Sequence, residues 1–158
     1  DDEKIISRSR WGARGDTTIS AEKAKKERNK KEAIRCVLPL SGFYLWKEQQ
    51  EKDHPFFVRM LNNPVMAVAG IYYKVADPYF KIVMTESNPL IYPMSKTMPL
   101  LLDQNLAGNW LDYSLPADEI LNEAGDLFLL TDISVMRVDK KVNDPTQNDP
   151  SLVQPIPK

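Results

Sequence analysis

From Cys36 onward the chain is a succession of short β-prone runs, each closed off by turn residues, and that pattern calls for a sheet. Cys36 to Leu40 and Phe43 to Lys47 flank the turn signal Ser41-Gly42. Phe56 to Leu61 lies between Pro55 and Asn62-Asn63-Pro64. Val65 to Tyr73 is the most hydrophobic run and is expected at the sheet centre; Tyr79 to Thr85 and Phe128 to Val138 add further strands. Helices are fewer. Ser20 is placed to cap a helix over residues 21–34, but that stretch has apolar anchors only at Ala21, Ala24, Ala33 and Ile34, so it is expected on the surface. Asp103 to Asp112 reads as a short helix presenting Leu106, Trp110 and Leu111 to a sheet, and Pro116 opens a second one through Leu121. The tail from Asn143 carries four prolines and is expected to be looped. Strands mixed with short scattered helices give an α+β fold, not the regular β/α alternation of a doubly wound sheet. The expected core includes Phe43, Trp46, Val68, Ala69, Ile82, Trp110 and Leu129.

Composition narrows the function. A chain of 158 residues, 42% hydrophobic and 27% charged, suits one globular domain over 1–158. Its longest apolar run, Val65 to Ile71, is far too short to cross a membrane as a helix, and its start is acidic, unlike a signal peptide. A cytoplasmic monomer with no membrane partner is the expectation. One cysteine, Cys36, and one histidine, His54, exclude an internal disulfide and a Cys-His zinc cluster. There is no EF-hand loop, which leaves carboxylate-only magnesium or calcium sites open, and no GxGxxG stretch or Walker-type loop, so no metal site is assigned and no cofactor is expected. The net charge of -1 hides an asymmetry: residues 1–35 hold eleven Lys or Arg against seven Asp or Glu, and the rest holds ten against fifteen. The basic part suits a phosphate backbone; a solvated helix face is the alternative.

Five blocks in order carry a family resemblance. Ala13-Arg14-Gly15-Asp16-Thr17 is similar to N-A-R-x-E-T without its first residue. Residues 35–46, RCVLPLSGFYLW, are similar to R-C-L-x-P-x-x-G-F-Y-E-W. Ala69-Gly70-Ile71-Tyr72 is similar to A-G-L-W. Thr85-Glu86-Ser87-Asn88, Ile91-Tyr92 and Met98-Pro99 follow T-x-A-N, I-H and R-M-P. Val142-Asn143 and residues 149–155, DPSLVQP, close the series. Together they resemble the SRAP family, the SOS response-associated peptidases that process abasic sites in DNA. The resemblance spans about residues 10–156, the later two thirds of a typical member; the opening Met-Cys-Gly-Arg segment is not matched. It implies a SRAP-like fold with a curved, partly closed antiparallel sheet and short peripheral helices.

The resemblance also implies a chemistry. In the family the amine and thiol of a terminal cysteine condense with the aldehyde of an abasic site in single-stranded DNA, and the same cysteine removes a leader peptide. An Asn, a Glu and a His position and protonate the reacting groups. Here those three positions fall on Gly12, Leu45 and Tyr92, with Ser95 a second match for the histidine; the arginine before Met-Pro falls on Thr97. None can do the proton transfer at neutral pH. Cys36 matches a structural cysteine and the chain starts at Asp1, so no catalytic residue is credible. Three functions stand: an inactive relative keeping weak single-stranded DNA binding, an active crosslinking member and autopeptidase whose N-terminal cysteine segment is missing, or a non-enzymatic partner-binding domain. Candidate DNA contacts are Arg14, Arg8 and Arg10, with Trp11 to stack on an unpaired base. Arg14 could instead pair with Asp16. Phe43, Tyr44 and Trp46 are expected to serve the core, and His54 to be an exposed spectator.

Overall fold

The computed structural model describes residues 8–27, 30–47, 54–127 and 133–156. Along the chain these form β1 (Arg10–Trp11), β2 (Thr18–Ser20), α1 (Ala21–Glu27), β3 (Ala33–Leu40), β4 (Phe43–Trp46), β5 (Pro55–Met60), β6 (Met66–Tyr73) and β7 (Tyr79–Glu86). Then come β8 (Thr97–Pro99), β9 (Leu101–Leu102), α2 (Gln104–Leu111), α3 (Ala117–Leu127) and β10 (Ile133–Arg137), with 3-10 turns at Lys140–Asn143 and Pro150–Val153.

The α+β composition expected from the sequence holds, but the single curved, partly closed antiparallel sheet does not. The strands divide into two open sheets. The larger has seven strands, β1-β7-β6-β3 in order with β2 and β8 also paired to β7 and β9 to β6, and it is mixed, because β1 and β2 both run parallel to β7. The smaller is the antiparallel set β10-β5-β4. The cause lies at Ser41-Gly42. The runs flanking it do not pair with each other: β3 pairs β6, whereas β4 crosses over to pair β5. The chain therefore leaves one sheet for the other where continued pairing would have bent it toward closure.

The most hydrophobic run does lie at the centre of the large sheet. β6 pairs β3 along its whole length and β7 from Gly70 to Tyr73. Gly70 stands opposite Cys36, and a Cβ there would come within 2.9 Å of the Cys36 Sγ, so glycine leaves room for the thiol. Below Gly70 the hairpin splays. Residues 97–102 wedge into the gap, β8 pairing β7 and β9 pairing β6. Leu100 sits at the fork, donating its N–H to the Val83 carbonyl at 2.8 Å and accepting the Ala69 N–H at 2.9 Å. Met98 and Leu100 to Leu102 are buried there, an apolar insertion that satisfies backbone groups which the splay would have orphaned.

Helix α2 packs on β3. The Asp103 carboxylate caps it by accepting the Leu106 N–H, and Leu106 and Trp110 are buried. Trp110 is 0% exposed, and its indole N–H donates to the Cys36 carbonyl at 3.0 Å. Arg35 is buried with its guanidinium 5.4 Å from the Trp110 ring centroid and 4.6 Å from that of Tyr113, and it donates to the Asp112 and Leu115 carbonyls. Tyr113 Oη accepts the Arg35 N–H. Side chains thus cover the outer edge of β3, which no strand covers among the described residues.

Helix α1 is shorter than expected. The Ser20 Oγ caps it at 3.3 Å from the Lys23 N, but it ends at Glu27. Ala33 and Ile34 join β3 opposite Tyr73 and Tyr72, where pairing satisfies their backbones and a lysine-rich helix offers no burial in exchange. Of the expected core, Val68, Ala69, Ile82 and Trp110 are buried and Phe43 is half-buried. Trp46 is 38% exposed, because its indole N–H reaches out to Asn143 Oδ1 at 2.8 Å. Leu129 lies outside the described residues. Among those residues no helix is long and apolar enough to cross a membrane.

Candidate functional site

The edge of the large sheet opposite β3 is irregular. Trp11 stands opposite Phe80 and Thr18 opposite Ile82, so residues 12–17 pass while β7 has only Lys81 in between. The excess leaves the sheet as a tight turn. Ala13 and Asp16 exchange backbone hydrogen bonds of 3.2 and 3.0 Å, and the residues between them, Arg14 at φ 50° and Gly15 at φ 83°, both occupy the left-handed region. That is the backbone of a type I′ turn, where an arginine is unusual. Gly12 anchors the base of the turn at φ 77°, its N–H on the Phe80 carbonyl at 2.8 Å; a Cβ there would meet the Thr17 Cγ2 at 2.7 Å. The position that resemblance assigns to a catalytic asparagine is thus closed to any side chain.

Arg14 is exposed and has no ion pair among the described residues. Asp16, the partner weighed for it from the sequence, instead binds Lys81, which lies 5.8 Å over the Tyr73 ring. Trp11 is 58% exposed, and its indole N–H donates to the Thr17 carbonyl at 3.0 Å, which leaves the ring at the surface. Arg8 is exposed. Arg10 is paired with Asp77, both in solvent, so its charge is partly spent. Of the four candidate contacts, the edge therefore presents two cations without an ion pair among the described residues and one aromatic face.

The other catalytic positions are scattered. Leu45 lies inside the small sheet opposite Phe56, 9% exposed in the core. Cys36 is half-buried in the large sheet, and burial pushes its thiol up to about 11, which keeps it protonated and inert at neutral pH. Ser95 donates its hydroxyl to the Thr97 carbonyl at 2.7 Å. His54, expected to be exposed, is half-buried ahead of β5, and its Nδ1 has no partner among the described residues.

Tyr92 and Thr97 come together in a cleft of about 940 Å³ between the start of α1, the end of β7, the loop after it, and α3. Neither Gly12 nor Leu45 lines it, and no cysteine or histidine does. Its floor holds a group that sequence reasoning quoted without giving it a role. Asn88 is 8% exposed, and its Oδ1 accepts the Ile91 N–H at 2.9 Å. That bond fixes the loop over 88–95 and turns the amide nitrogen away from it. The Ser87 Oγ beside it is buried without a partner. An Asn followed by Pro three residues before an apolar Ile is the signal that could have marked this turn. Among the described residues no three His, Cys, Asp or Glu converge as metal ligands would.

Comparison with known proteins places the chain's sequence with one family. The model of the family described as SOS response associated peptidase (SRAP) matches residues 3–145. The abasic site processing protein YoqW of Bacillus subtilis (strain 168) is 26% identical over 127 residues, covering 76% of this chain and 57% of that protein. The abasic site processing protein YoaM of the same organism is 25% identical over 126 residues, covering 75% and 56%. The chain thus spans a little over half the length of these relatives. Among solved structures, a protein from Bacteroides thetaiotaomicron superposes with a TM-score of 0.72 at 22% identity, over 89% of this chain and 66% of that one. A phage-related protein from Bordetella bronchiseptica gives 0.54 at 17%, over 95% and 74%. At such identities the two structures show the fold alone.

Proposed function

The chain belongs to the SOS response-associated peptidase family, and from that premise we propose that it is a non-crosslinking member which holds single-stranded DNA weakly and reversibly along the β1–β2 edge. Residues 1–158 act as one domain in this reading. The observation that carries it is Leu45. Where the family resemblance calls for a glutamate, an alkyl side chain is packed into the core of the small sheet. An alkyl group neither donates nor accepts a proton, and the two other positions, Gly12 and Tyr92, supply no replacement. The relatives named as abasic site processing proteins support DNA as the ligand. The free guanidinium of Arg14 beside the exposed Trp11 supports the place, since cations with an aromatic face make a recurrent single-strand site.

The test is a denaturing gel of the chain mixed with single-stranded DNA containing one abasic site. No heat-resistant shifted band is expected. A band that survives Cys36→Ala would overturn the non-crosslinking reading, and a band lost in that variant would make a nucleophile of a thiol that burial keeps protonated.

A further inference from the structure

We propose that the cleft takes one unpaired base of a single strand, any of the four, so that this chain reads the presence of a base where its relatives are named for processing abasic sites. The proposal rests on the single-strand reading above. The cleft volume, about 940 Å³, lies in the range of small-molecule sites, about 300–1,000 Å³. Its walls are apolar at Met84, Pro93 and Leu121, and Tyr92 lines it with 56% of its surface exposed, a ring free to stack.

Two polar groups choose between ligands. The buried Asn88 spends its Oδ1 on the Ile91 N–H, and its Nδ2 has no partner among the described residues. It is a fixed donor in the cleft lining. Glu86, two residues earlier on the same strand end, is an exposed carboxylate with no ion pair among the described residues, and it is an acceptor. Every base carries a donor beside an acceptor on its Watson–Crick edge, so one amide donor with one carboxylate acceptor matches all four. A bare deoxyribose would leave the pair without an edge to bind and Tyr92 without a ring to stack on.

Electrostatics exclude the backbone from the same place. Among the described residues Lys25 is the one cation lining the cleft, and it is already held by Glu22 at 2.9 Å and Asp118 at 3.8 Å. Glu86 would repel a phosphate, whereas a neutral base carries no such penalty. The cleft also lies on the path of the strand. From Phe80, beside Trp11, to Thr85 at the cleft, β7 advances five residues, about 17 Å at 3.3–3.4 Å each. That is a span of a few nucleotides.

The experiment compares binding of two labelled 12-mers, oligo-dT and an oligomer whose every unit is the stable abasic analogue tetrahydrofuran. Asn88→Asp keeps the oxygen that accepts the Ile91 N–H and removes the donor, so the loop stays folded while the base loses its partner. The intact chain should prefer oligo-dT by about tenfold, the size of a stacking contact. The preference should shrink severalfold in Asn88→Asp and in Tyr92→Ala, and thymidine alone should shift the NMR signals of cleft residues. Strand binding that depends on Arg14 with the same preference in both cleft variants would overturn this inference and leave the single-strand reading standing. Thymidine shifts in the cleft with no strand binding would support the base site and overturn the strand reading. Binding of neither would overturn both.

Discussion

The two edges of the seven-stranded sheet are treated in opposite ways. At β3 the backbone is sealed by side chains: Trp110 donates to the Cys36 carbonyl, Tyr113 accepts the Arg35 N–H, and the Arg35 guanidinium is clamped between both rings. At β1–β2 no strand covers the outer backbone among the described residues, and the chain is thrown outward into a turn with an arginine in the left-handed region. One edge maximises burial and satisfied polar groups. The other accepts backbone strain and exposes a cation and a tryptophan. Strain kept at an exposed turn with no packing gain is consistent with the contact surface proposed there.

On that contrast, the largest effect on stability comes from the sealed edge. Trp110→Ala should cost about 3–5 kcal/mol, since it removes a fully buried indole and strands the Cys36 carbonyl. At about 2–4 °C per kcal/mol for a chain of this size, thermal melting should fall by roughly 6–20 °C. A loss below about 1 kcal/mol would mean that the edge is not sealed as described.

The open edge should respond with the opposite sign. Arg14→Gly relieves a left-handed arginine and should raise stability by about 0.5–1 kcal/mol, read by urea unfolding. Destabilisation would show that the guanidinium is held by something that strains the turn for structural reasons. The smallest effect is expected at Cys36. Its thiol, raised to about 11 and lodged opposite Gly70, should resist a disulfide reagent at pH 8 and react only in denaturant. Fast labelling of the folded chain would place it at the surface.

Much of the molecule was legible in its sequence, for physical reasons that differ by region. β6 is apolar on both faces, so its central place could be read directly. Helix α2 announces itself by Asp103 at its cap and by the spacing of Leu106 and Trp110. The division into two sheets was not legible, because Ser41-Gly42 looks the same whether it joins two strands of one sheet or carries the chain between two. The short α1 was missed because composition favours helix through Ile34 while pairing with Tyr72 draws that residue into β3. At the site, the turn glycines marked residues 12–15 as a loop, but nothing local tells that Arg10 meets Asp77 or that Asp16 is taken by Lys81, some 65 positions away in each case. The first of those pairs reduces the expected phosphate contacts from three arginines to Arg8 and Arg14, and the second leaves Arg14 without the partner weighed for it. Asn88 was visible as a motif residue, but its donor could be assigned only once the Ile91 bond fixed the amide.

The most direct measurement is the salt dependence of binding to a short labelled single strand, by fluorescence anisotropy, for the chain and for Arg14→Gly. Each phosphate contact contributes a slope of about -0.7 in log affinity against log salt. Two free arginines predict about -1.4 for the chain and about -0.7 for the variant. Equal slopes, or no binding to the chain at low salt, would contradict the assignment of this edge as the DNA-binding surface.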